Sequence, residues 1–144
     1  MSQMKPKLKK LRLIQLAMIA VIPIFGWVAE FRRDSGNNDW TLRHWLAAGL
    51  ALWSAFGGFR HRHRLLFRSE QAAAKDASNP KALKQWEAGN LIGLASAESL
   101  VLWGLVVRMV LGGALWQASF FYAVGLFLLL LWTPRIPITT PAST

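Results

Sequence analysis

The sequence predicts an all-α integral membrane protein with four transmembrane helices arranged as two hairpins. Three observations carry that prediction. Of the 144 residues, 53% are hydrophobic and only 17% are charged. The apolar residues gather into four long runs divided by polar or glycine-rich breaks, as membrane spans do. The 17 lysines and arginines are unevenly placed, with thirteen in the first twelve residues, one central segment and the tail. The expected spans are about 11–31, 42–60, 86–111 and 114–132. They occupy most of the chain and leave no room for a separate soluble domain.

Residues 1–10 read as a basic cytoplasmic leader with four lysines. In the run that follows, Gln15 is the one strongly polar residue between Leu13 and Ala29. Its length, and its Glu-Phe-Arg-Arg end without a small-residue cleavage site, argue for an uncleaved helix over a signal peptide. Pro23 removes a backbone donor and is expected to kink it. RRDSGNNDW is a turn, after which Asp39 or Thr41 caps the second helix. That run is uncharged for 15 residues, Trp45 to Phe59, short against the roughly 20 that cross hydrocarbon. Arg43, His44 and Arg60 lengthen it by snorkelling. Ala47, Ala51 and Ala55 recur every fourth residue, which allows close helix contact in lipid.

Residues 60–86 form a hydrophilic cytoplasmic loop with seven bases against two acids. Good helix formers in its first half extend the second helix past the membrane face. Ser78-Asn79-Pro80 breaks that helix, and Pro80 suits the first turn of the next. The third helix is expected from about 81 to 111, with Gly112-Gly113 as a tight turn before the fourth. Residues 133–144 hold three prolines and no periodicity, and read as a disordered cytoplasmic tail.

Cytoplasmic loops of inner-membrane proteins are rich in Lys and Arg, so the base count puts both termini and the central loop in the cytoplasm of a bacterial inner membrane. Trp27, Trp40, Trp45 and Trp116 then fall at the outer interface, Trp86 and Trp132 at the inner one, and Trp53 and Trp103 are packing residues. This topology accounts for the net charge of +10 without nucleic acid. The expected partners are the bilayer and its anionic headgroups, with Arg60, Arg62, Arg64 and Arg68 as candidate lipid-binding residues. A self-associated state or a larger membrane complex is also expected from the small-residue surface. His61 and His63 alternate with those arginines, whose charge opposes a metal ion. The chain has no cysteine and no nucleophile, phosphate-loop or paired-carboxylate motif, so no metal, cofactor or enzymatic activity is expected.

The residue that stands out is Glu98, about ten residues from either end of the third span. An acid inside a membrane helix costs about 2.5–3.5 kcal/mol on insertion scales and by default points to function. Ser96 and Ser99 are the candidate residues to help it hold a proton or ion. The bland alternative is an interhelical hydrogen bond to Ser54 or Gln117. Arg108 is about 15 Å further along the helix and on another face, so it cannot pair with Glu98 and reads as a snorkelling outer arginine.

The stretch SNPKALKQWEAGNLIGLASAESLVLWGLVV resembles the ion-binding helix of the c subunit of rotary ATP synthases. Asn79-Pro80 precedes Glu98 by 18 residues from the proline, and Ile92-Gly93, Ala95 and the run Leu102 to Val107 fall in matching places. The resemblance implies a proton or cation carrier at Glu98. The sequence departs from that family in having Ser78 for the loop arginine, Arg108 in the ion helix, a long connecting loop and no glycine-rich partner helix. The layout as a whole resembles small uncharacterised four-helix bacterial membrane proteins. Two readings therefore stand: a structural or accessory membrane protein, and a c-subunit-like translocation component.

Overall fold

The computed structural model describes residues 4–31, 39–76 and 79–134, without the side chains of Met4 and Glu30. The expected turn over 32–38, Ser78 and the tail from 135 lie outside the described residues. Four helices follow one another: α1 (Met4–Phe31), α2 (Leu42–Lys75), α3 (Pro80–Met109) and α4 (Leu115–Leu131). The described residues form no strand. All four expected helices are present. Two of them, α1 over Lys5–Ala29 and α3, are long and apolar enough to cross a membrane, and α4 is a shorter apolar helix.

The leader is not a separate segment, because residues 4–10 are the first turns of α1. Lys and Leu are good helix formers, and Pro6 falls in the first turn, where its missing N–H is not needed. α2 continues unbroken from its apolar half through the arginine-rich half to Lys75. Pro80 opens α3 as expected, with the Asn79 side chain accepting from the Lys81 N–H at 2.9 Å. Gly112 closes α3 at φ +68°, a left-handed conformation that glycine adopts without strain. Thr133 and Pro134 do not join a disordered tail: Pro134 is buried against the bundle, and Thr133 donates to the Leu130 carbonyl at 2.8 Å.

α3 is the central helix and packs against the other three, while the backbones of α1 and α2 do not approach each other. The helices alternate in direction. Lys7 of α1 reaches Glu87 of α3 at 2.5 Å, and Gln15 of α1 donates to the Leu129 carbonyl of α4. One core lies between α1, α3 and α4, around Ile22, Leu94, Ala97, Val101 and Leu129. A second joins Ala47 and Ala51 of α2 to Leu100, Val107 and Phe121. The expected alanine stripe of α2 therefore faces α3. On α3 that stripe meets Leu100 and Val107. Nearer the arginine half of α2, Gly89 lies under Leu65 and Leu66 and Gly93 under Arg62, while Ala97 faces the core with α1 and α4.

Outside these cores the surface is apolar on every helix. Leu16, Ile24 and Trp27 of α1, Leu46, Leu50 and Phe56 of α2, Leu102 of α3, and Phe120 and Phe127 of α4 all point outward. Trp53, expected to pack, is 79% exposed. It sits on the face of α2 opposite the alanine stripe, where no other helix covers it. Trp132 and Trp86 are buried, at 7% and 3% exposed.

Candidate functional site

The central stretch of α3 brings the candidate residues into view. Glu98 is half-buried, and its Oε2 is shielded with no hydrogen-bond partner among the described residues. Neither expected partner reaches it. Ser54 donates to the Ala51 carbonyl at 2.8 Å, and Gln117 caps α4, its Oε1 accepting from the Ala114 N–H at 2.9 Å. Ser96 and Ser99 are not gathered around Glu98. Ser96 donates to the Ile92 carbonyl at 2.7 Å and Ser99 to the Ser96 carbonyl at 2.8 Å. The reason is helical geometry: residues two apart sit about 200° apart around the axis. Ser96 accordingly faces α2, where a Cβ on Gly58 would fall 1.8 Å from its hydroxyl.

The register between α2 and α3 also locates Glu98 along the bundle. Arg62 lies across Gly93, so Glu98 is five residues, or about 7 Å, beyond the level of that guanidinium.

Arg62 is unlike its three neighbours. Arg60, Arg64 and Arg68 are exposed at intervals of four on one face of α2. Arg62 turns inward, its guanidinium carbon 5.2 Å from the centre of the Trp132 ring, a cation–π distance. Phe59 stacks on the same ring at 6.0 Å. Burial pushes the Arg62 pKa down, yet an arginine stays charged. Arg62 therefore ties α2 to the end of α4, and only the other three present free charges.

At the opposite end Trp40 lies 4.8 Å from Trp45 and 6.1 Å from Trp116, ring centre to ring centre. His44 is turned back to its own helix start: the Thr41 N–H donates to its Nδ1 at 3.3 Å, and the Thr41 hydroxyl lies 2.7 Å from the same nitrogen. Of the two expected caps, Thr41 is the one used. Arg108, expected to snorkel, donates to the Gly113 carbonyl at 2.9 Å and braces the α3–α4 turn. The described residues contain no cluster of metal-ligating side chains.

Two structural residues escape a reading of the sequence, Gln15 and Arg62. Gln15 was visible as the one polar residue in its run, but its partner lies 114 positions away. Arg62 carries no signal that separates it from the other arginines. Comparison with protein-family models, curated proteins and solved structures gives no match.

Proposed function

We propose that this chain is a four-span integral protein of a bacterial inner membrane with a structural or accessory, non-enzymatic role. The observation that supports this most is the outward apolar belt on all four helices, bounded by separated charges. Soluble monomers rarely expose apolar patches beyond a few hundred Å². The start of α1, the end of α2 and the start of α3 share one end of the bundle and carry the lysines and arginines of those segments. The other end carries Arg43, Arg108 and the Trp40–Trp45–Trp116 group. Basic residues inside and tryptophans at the far interface fit both termini in the cytoplasm. Arg60, Arg64 and Arg68 then meet anionic headgroups.

α2 crosses despite its short uncharged run because α3 shields its alanine face. Alkaline carbonate extraction of a bacterial membrane fraction tests this reading. The protein is expected to stay with the membrane; release into the supernatant would overturn it.

A second reading has its own observation, the shielded and unpartnered Oε2 of Glu98. If Arg62 marks the inner boundary, Glu98 lies in the cytoplasmic half of the bilayer and not at its midplane. An acid at that depth can exchange protons with the cytoplasm more readily than one at the centre. In this reading Glu98 carries a proton or cation, without the serines that flank it. Glu98→Gln keeps size and hydrogen bonding but cannot titrate. A carrier role predicts loss of proton flux across reconstituted vesicles with the fold intact. Equal flux in the two proteins would eliminate it.

A further inference from the structure

The outward face of α1 at its basic end is an open, shallow surface formed by this helix alone, with Lys5, Lys9, Lys10, Arg12, Leu13 and Leu16 exposed along it. Lys5, Lys9, Arg12 and Leu16 follow the spacing of one helical stripe. The charge order along that stripe is informative. Cations occupy its first two turns, and the exposed leucines Leu13 and Leu16 continue it toward the apolar belt. The acid that α3 presents nearby, Glu87, is already taken by Lys7 at 2.5 Å. Lys5, Lys9, Lys10 and Arg12 make no ion pair among the described residues. Four uncompensated cations therefore stand directly above an apolar track.

We infer that this face holds one anionic phospholipid of the cytoplasmic leaflet, its phosphate between Lys5, Lys9 and Arg12 and an acyl chain along Leu13 and Leu16. The inference rests on the membrane reading above and deepens it by naming a site for a defined partner. Charge complementarity selects the occupant: an anionic headgroup satisfies the cations, and only a lipid also covers the leucines.

Native mass spectrometry of the full chain, released from micelles containing equal amounts of anionic and zwitterionic phospholipid, tests this. Wild type is expected to retain one anionic lipid. The triple variant Lys5→Gln, Lys9→Gln, Arg12→Gln should retain it on the order of a hundredfold less, about fivefold for each cation removed. The charge-matched triple Lys75→Gln, Lys81→Gln, Lys84→Gln should behave as wild type. Equal retention by all three proteins, or equal loss in both triples, would overturn the site. Leu13→Ser with Leu16→Ser should also weaken retention. Unchanged retention there, or displacement by millimolar inorganic phosphate, would show a phosphate site and refute the lipid. Failure of the membrane reading looks different, because the protein would then leave membranes on alkaline extraction.

Discussion

Gly125→Leu is expected to loosen α4 from α3 and to cost the bundle more than any other single glycine substitution. A Cβ at this position would lie 2.5 Å from Val101 Cγ2, 2.9 Å from the Ala97 carbonyl oxygen and 3.3 Å from the Val101 nitrogen. Two of those three atoms are backbone and cannot rotate away. The helices must separate, and the core around Leu94, Val101 and Leu129 loses its packing. Overpacking of this kind costs roughly 1–3 kcal/mol, and a leucine, larger than one methyl, belongs at the upper end. Gly93 makes the comparison: there the close atoms are Arg62 Cδ and Nε at 2.6 and 2.7 Å, part of a flexible arm. Gly49 is the control, with nothing within 4 Å, and Gly49→Leu should be neutral or slightly stabilising through helix propensity. Unfolding of the detergent-solubilised protein, followed by circular dichroism, ranks the variants. Gly125→Leu within about 0.5 kcal/mol of wild type, the usual scatter of surface changes, would refute the close α3–α4 approach.

Gln15→Leu should free α1 from the end of α4. The Gln15 amide is 6% exposed and donates to the Leu129 carbonyl, with Thr133 Oγ1 at 3.4 Å as a second contact. That carbonyl belongs to the last turn of α4, where no intrahelical N–H follows to pair with it. Leucine keeps the volume but strands the acceptor, a loss of about 1–3 kcal/mol. Gln15→Glu should be at least as damaging, since an ionised carboxylate cannot donate. Faster amide exchange confined to α1 is the expected signature. Wild-type exchange in Gln15→Leu would show that apolar packing alone holds α1.

The four helices were legible because runs of apolar residues, Asn79-Pro80 and Gly112 mark them in local chemistry. The start of α1 was misread because charge was taken as a boundary, although lysine propagates a helix well. The central place of α3 has a packing cause that its acid does not supply. Gly89, Gly93 and Ala97 put it there through close packing, while Glu98 itself is only half-buried. The surroundings of Glu98 were not legible. Ser96 and Ser99 are close in sequence, but about 100° per residue turns them away. Trp53 shows the same limit. An apolar residue in a short span reads as core or as surface according to which neighbour helix exists on its side, and that depends on contacts far along the chain.

The proposed function requires α2 to cross the membrane with its arginine half inside the cell. The chain contains no cysteine, so single cysteines report topology without background. Arg43 and Arg64 are both exposed, toward opposite ends of α2. With a membrane-impermeant maleimide on intact bacteria opened only at the outer membrane, Arg43→Cys should label and Arg64→Cys should label only after the inner membrane is broken. Labelling of both from outside, of neither, or of Arg64→Cys alone would contradict it.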